Sequence, residues 1–315
     1  MTGRAPDRRA RARVRAEDDR GRSMRSGTTS GTTSDMTRDL ADDTARDLAG
    51  GTTRDLADDT ARDTARDTAR DTAGDATRDT PRTAGASRTE SPEGAPVQVT
   101  DQGLPEWLEP VARAARTVQP HQLSRFLPPE SGGRQSAVLV LFGEGEQGPE
   151  LLLLERAGTL RSHAGQPSFP GGALDPEDGD PDGDGPVRAA LREAREETGL
   201  DPSGVQVFGV LPRLYIPVSG FVVTPVLGWW REPSPVAPVS PQETARVFTV
   251  PVAHLTDPRY RAMAIHPSGH RGPAFRVGPA LVWGFTAGVI DRILHYAGWE
   301  RPWDREREVP LDARS

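Results

Sequence analysis

Three glutamates, Glu193, Glu196 and Glu197, crowd into the stretch "LREAREETGL" (191–200) together with Arg192 and Arg195. On a helix, the i,i+3 and i,i+4 spacings bring all three carboxylates onto one face, where they repel one another. Water can absorb that repulsion, and a solvated acidic face is the ordinary outcome. The other outcome is chemical: clustered carboxylates, with backbone carbonyls and water, are the oxygen ligands that a hard divalent cation takes. The neighbouring residues favour a fixed scaffold. Pro186 suits a first helical turn, Gly199 suits a C-terminal cap, and Val187, Ala190, Leu191 and Ala194 can face a core. Upstream, "SFPGG" (168–172) sets Gly171 beside Gly172, where backbone can approach a ligand or turn sharply against the helix. Arg192 and Arg195 can orient the carboxylates or contact phosphate.

The elements that must hold such a cluster are confined to one part of the chain. Of the 315 residues, those before about residue 95 are built from Thr, Arg, Asp, Ala and Gly and include no aromatic side chain. There "TRDLADDTARDLA" (37–49) recurs as "TRDLADDTARDTA" (53–65), and "RDTA" then repeats every four residues. Each unit offers at most a Leu or two to bury, and arginines such as Arg62 and Arg66 fall at a repelling i,i+4 spacing, so no stacked repeat core is expected. We read 1–95 as a disordered low-complexity arm, 100–300 as one folded domain, and 301–315 as a charged C-terminal tail.

Within the domain, "LPEWLEPVARAA" (104–115) places Trp107, Leu108, Val111, Ala112 and Ala115 at helical spacing. "SAVLVLF" (136–142) and "ELLLLERA" (150–157) read as buried strands of a hairpin across the turn-rich "GEGEQGP". Three more strand-like runs follow the acidic segment, "VQVFGVLPRLYI", "FVVTPVLGWW" and "RVFTVPVAHL", and "LVWGFTAGVIDRILHYAG" reads as a long amphipathic helix. Strands interleaved with helices predict an α/β domain with a mixed sheet.

Composition narrows the function classes. The chain has no cysteine, which excludes a disulfide framework and a thiolate metal site and fits a reducing cytoplasm. No apolar run approaches the ~20 residues of a membrane span, and the N-terminal stretch has no apolar signal-like region. A net charge of −7, with Asp and Glu interspersed among the arginines of the arm, argues against a nucleic-acid partner. A homodimer is left open.

The segment from Arg192 to Leu200, "REAREETGL", resembles the second half of the Nudix box, R-E-U-x-E-E-x-G-U with U aliphatic. The first half of that pattern is Gly, five residues, Glu, seven residues. Counted from Gly172, the early acid is Asp178 rather than Glu, and thirteen residues instead of seven separate it from Arg192. We read the six extra residues, in "DGDPDGDG", as a loop insertion that leaves the ligand cluster intact and puts the role of Asp178 in question. The same loop begins like an EF-hand, D-x-D-x-D-G at Asp178, Asp180, Asp182 and Gly183, but the closing Glu of a calcium loop would fall at Ala189, inside the next helix. The resemblance implies an α/β/α sandwich with a mixed β-sheet, here preceded by the long disordered N-terminal arm.

Upstream, "LLLLERAGTLRSHAGQPSFPGG" is similar to a second signature, that of the coenzyme A diphosphatase branch of the Nudix hydrolases, with Arg156, Arg161, Gly165, Phe169, Pro170, Gly171 and Gly172 in step and with Leu154 and Ala157 in place of Thr and Ser. The likeness runs from about 135 to 295. The branch implies Mg²⁺- or Mn²⁺-dependent attack of water on the pyrophosphate of coenzyme A or its acyl derivatives, giving 3′,5′-ADP and 4′-phosphopantetheine. Glu193, Glu196 and Glu197 would hold the metal, Gly171 or Gly172 would offer a carbonyl, and Glu193 or Glu197 would take the proton. Glu243, in "SPQET", matches an acidic loop position and is a candidate further base or ligand. Arg156 and Arg161 are candidates for phosphate contacts beside Arg192, since guanidinium forks suit phosphate. His163 is expected to be a hydrogen-bonded loop residue, and Phe169 and Trp283 core residues. Two rival readings stand beside this one: the same chemistry on another nucleoside diphosphate compound such as ADP-ribose, a dinucleotide or an oxidised nucleoside triphosphate, and a non-catalytic Nudix-fold regulator.

Overall fold

The computed structural model of the chain describes residues 97–158 and 165–312. The arm read over 1–95 lies outside the described residues, as do Arg161 and His163.

A 3-10 turn, Glu106–Leu108, runs into helix α1 (Glu109–Thr117), burying Leu108, Val111 and Ala112 as their spacing predicts, and a short helix α2 (Pro120–Leu123) follows. Strands β1 (Arg134–Gly145) and β2 (Gly148–Arg156) form the expected antiparallel hairpin, with Phe142 opposite Leu151. On β1 the side chains alternate between two cores: Ala137, Leu139 and Leu141 enter one, Val140 and Phe142 the other. A strand buried on both faces has to read as a continuous apolar run, which is why "AVLVLF" shows no polar alternation.

Two short strands, β3 (Pro167–Ser168) and β4 (Gly171–Ala173), pair with β2 and β1 respectively. Helix α3 (Gly185–Thr198) then packs Val187, Ala189, Ala190 and Ala194 against the Leu139 and Leu141 face. Its alanines allow close approach to the sheet, and truncating either leucine beneath it would cost about 2–5 kcal/mol. Beyond α3 come β5 (Val205–Val210), β6 (Leu214–Ile216) and β7 (Phe221–Trp230). The run "VQVFGVLPRLYI" is thus two strands, β5 and β6, with Pro212 in the break, where its missing N–H cannot serve a ladder. Strand β7 pairs parallel with β1, from Arg134 opposite Phe221 to Phe142 opposite Trp229, whereas β5 and β6 pair antiparallel with β7. Strand β8 (Thr244–Pro251) adds to β2 and ends in the short helix α4 (Val252–Leu255). The result is an eight-stranded mixed sheet with the path β3-β2-β1-β7-β5.

A second sheet, not anticipated from the sequence, comprises β9 (Arg261–Ile265), β10 (Arg271–Val277), β11 (Ala280–Val282) and β12 (Glu308–Pro310), ordered β11-β10-β9-β12. Helix α5 (Gly284–Tyr296) is shorter than the amphipathic run suggested, because 280–282 are strand, Trp283 is extended and Gly284 has φ 65°. The segment after 300 is not free of the domain: β12 pairs parallel with β9, Val309 opposite Ala264. Arg261, with no exposed side-chain surface, fastens this region by ion pairs with Asp291 of α5 and, at 3.3 Å, with Glu300, its guanidinium lying between Phe275 and Trp303. No helix among the described residues is long and apolar enough to cross a membrane.

Candidate active site

The C-terminal half of α3 carries the acidic residues, and the turn from β3 into β4 faces it. Helix α3 stops where Gly199 adopts φ 71°, its N–H closing on the Arg195 carbonyl at 2.8 Å. Across from it, the backbone N–H of Gly171 donates to Glu197 Oε2 at 2.9 Å. A Cβ on Gly171 would sit 2.3 Å from the Ala137 carbonyl oxygen, and one on Gly172 would sit 2.4 Å from Glu193 Oε1. Both glycines are therefore sites of close approach, one against β1 and one against a carboxylate.

Burial governs the electrostatics. Desolvation pushes the Glu197 carboxyl up to about 8; the Gly171 N–H opposes this, the charges of Glu193 and Glu243 add to it, and that of Arg156 offsets it. Glu193 is also raised by burial, with the Arg192 guanidinium pulling the other way. The two carboxyls act on one another, and for both the cost of burial outweighs the nearby arginine. Glu196 is more open, with about half its side chain exposed.

Arg192 organises this face. Its Nη1 donates to Glu193 Oε1 at 2.9 Å and Glu196 Oε2 at 3.3 Å, its Nε and Nη2 grip Asp178 at 3.1 and 2.9 Å, and Nη2 also reaches the Ala173 carbonyl at 3.1 Å. Asp175 lies 3.4 Å from the same Nη2. All five guanidinium donors are engaged by protein oxygens, so Arg192 positions carboxylates and has no donor directed to a phosphate. Asp178, only 5% exposed, is held further by the Asp175 N–H at 2.8 Å. The calcium-loop reading does not survive, since Asp178 faces Arg192 whereas Asp182 pairs with Arg213. Asp175 was not picked out from the sequence; in a loop of many acids nothing in the spacing distinguishes it.

The remaining expected residues approach from the other side. Arg156 ends β2, where the β8 register sets it opposite Thr244, and the Ala157 N–H donates to the Glu243 carbonyl at 2.8 Å. Arg156 and Glu243 thus flank the Glu197 carboxyl, on which both act electrostatically. Arg156 Nε is buried and has no hydrogen-bond partner among the described residues. Phe169 is a core residue, 3% exposed; Trp283 is only partly buried and lies over the His266 ring.

Among the described residues no group of three Asp, Glu or His side chains is closed into a cation cage, and Glu193 and Glu196 both turn to Arg192. The donor set nevertheless suits a hard divalent ion. It is entirely oxygen, two of its carboxyls are desolvated without full compensation, and the absence of a side chain at Gly172 leaves backbone against Glu193. Such a site can bind a polyanion through a cation and accept a proton on a carboxylate.

The model of the NUDIX domain matches residues 133–266. The chain is 44% identical over 172 residues to "Uncharacterized Nudix hydrolase NudL" of Cronobacter sakazakii, covering 54% of this chain and 85% of that protein. The Escherichia coli K12 protein of the same description is 42% identical over 165 residues, covering 50% and 79%. Among solved structures, a Nudix hydrolase from M. smegmatis, RenU, aligns with 56% of this chain and 92% of its own at 20% identity, with a TM-score of 0.37.

Proposed function

The chain belongs to the Nudix hydrolases, enzymes that cleave nucleoside-diphosphate-linked compounds, and from that premise we propose that it hydrolyses the pyrophosphate bond of coenzyme A or its acyl derivatives to 3′,5′-ADP and (acyl-)4′-phosphopantetheine. The observation that carries the hydrolytic part is the partly buried pair Glu193 and Glu197, set against Gly171 and Gly172, with both carboxyls shifted upward by desolvation. Support for coenzyme A comes from the upstream run through Arg156 to Gly172.

Glu193, Glu196 and Glu197 are the residues that would hold Mg²⁺ or Mn²⁺, with the Gly172 carbonyl completing the set. When held there, such an ion would supply charge to offset the non-bridging phosphate oxygens and would lower the pKa of the attacking water. The water oxygen bonds to one phosphorus, the bridging P–O bond breaks, and the water proton passes to Glu193 or Glu197, with Glu243 as a further base. Arg156 spends its free Nε–H on the diphosphate, and Arg161 belongs to the same phosphate-binding set. Arg192 acts through Glu193 and Glu196. With no cysteine in the chain and a nucleotide substrate, we place the enzyme in the cytoplasm.

Product analysis of purified protein with Mg²⁺ or Mn²⁺ tests the proposal against coenzyme A, ADP-ribose, NADH and 8-oxo-dGTP. Fast appearance of 3′,5′-ADP and phosphopantetheine is expected. Turnover of another compound alone would discard the specificity, and no turnover at all would favour a regulator.

A further inference from the structure

Apart from the carboxylate cluster, three groups able to carry positive charge gather with no acidic partner among the described residues. His266 follows β9, His270 precedes β10, and Arg125 follows α2. Their proximity is felt electrostatically: burial, then Arg125, then His266 disfavour the charged form of His270. None of the three is ion-paired among the described residues, whereas the neighbouring Arg271 is paired with Glu308 at 2.6 Å. In a chain of net charge −7, an arginine beside two imidazoles and no carboxylate among the described residues is not a generic surface.

Arg125 and His270 are exposed and His266 is partly buried. His266 Nδ1 accepts the Ser268 N–H at 3.1 Å and lies 2.7 Å from the Ser268 hydroxyl, which leaves the neutral ring's proton on Nε2. Trp283 lies near-parallel to the His266 ring, centroids 6.1 Å apart and planes at 27°, and is only partly buried, so it offers an aromatic platform. Trp283 directly follows β11, and β11 lies against β3, which leads through Phe169 and Pro170 to the glycine that binds Glu197. The cluster therefore flanks the strand that presents the candidate active site.

We propose that Arg125, His266, His270 and Trp283 form a subsite for the phosphate-bearing nucleoside end of the substrate, with the heterocycle on Trp283 and the phosphate on the imidazole and guanidinium donors. This deepens the diphosphatase reading and rests on it, in that one molecule spans both sites. One guanidinium and two imidazole donors beside an aromatic face suit a phosphomonoester next to a base better than either alone.

The test is calorimetric binding of 3′,5′-ADP, 5′-AMP and inorganic phosphate to the full chain with chelator present, so that the metal site is silent. 3′,5′-ADP is expected to bind about tenfold more tightly than 5′-AMP and inorganic phosphate weakly, and R125A/H270A and W283A are each expected to weaken 3′,5′-ADP by about tenfold. W283F and a thermal melt guard against misfolding: W283F should retain binding, and the melts should match the parent. Wild-type protein that ignores 3′,5′-ADP, variants that bind it undiminished, or phosphate binding as tightly as the nucleotide would each overturn the subsite. Binding that depends on these residues in a protein that leaves coenzyme A intact would sink the diphosphatase reading and not the subsite.

Discussion

Arg192 meets Asp178 in a two-pronged ion pair, Nε to Oδ1 at 3.1 Å and Nη2 to Oδ2 at 2.9 Å, across fourteen positions of sequence. The loop after Asp178 is exposed over 179–183, with Gly179 at φ 98° and Asp182 held by Arg213, while Asp178 itself turns back onto the helix. The pair fixes the guanidinium that in turn holds Glu193 and Glu196. Asp178→Asn should therefore cost about 2–3 kcal/mol, the range for losing one side of a largely buried charged hydrogen bond. Urea melts give the stability change, and turnover should fall by more than the unfolded fraction explains. Unchanged turnover would show that Arg192 does not organise the carboxylates.

Gly172→Ala separates space from backbone strain, because the added methyl meets Glu193 Oε1 at 2.4 Å while the residue itself needs no left-handed conformation. Displacing that carboxylate should lower kcat by about a hundredfold, in the range for loss of a positioned catalytic group, with a small change in melting temperature. A melt that collapses together with activity would mean that the glycine serves the fold alone.

Arg156→Ala removes the donor whose Nε has no partner among the described residues. A diphosphate that loses one charge-assisted contact should show KM raised about tenfold, with Arg156→Lys recovering part of it. Equal KM in all three proteins would exclude a contact in the bound ground state.

The Glu197 carboxyl titrates near 8 in the fold against about 4.3 in an unfolded chain, so the folded state holds a proton that the unfolded state releases between these values. In metal-free protein its contribution to stability is complete below the lower value and is lost as pH rises through about 8; Glu193 shifts in the same direction. Melting temperature should decline across that window, and Glu197→Gln should flatten the decline. Mg²⁺ should restore more stability at pH 8 than at pH 6, because a ligand that needs the carboxylate form competes with the proton. A pH-independent melt would contradict the burial of this acid.

The acidic helix was legible because periodicity, Pro186, Gly199 and small core-facing residues all agreed, and the doubly buried strands β1 and β2 were legible as apolar runs. Asp178 was legible only as an acid out of step, since spacing carries no information about where an inserted loop rejoins. The second sheet was not legible. Its strands are short, β10 holds Pro273 and two arginines, and β12 finds its partner β9 only across more than forty residues. Arg261 reads as a surface residue until Phe275, Trp303 and Asp291 close around it. Likewise Asp175, and the cluster of Arg125, His266, His270 and Trp283, exist as groups only after the chain is folded.

The most direct measurement is the turnover of coenzyme A by Glu196→Gln at saturating Mn²⁺, because Glu196 is half exposed and its replacement leaves the buried core untouched. The expected result is a loss of about a thousandfold or more in kcat with an unchanged melting temperature, as for removal of a metal-binding carboxylate from a hydrolytic site. Turnover within a few-fold of the parent would contradict the assignment of these glutamates to the metal and, with it, the mechanism.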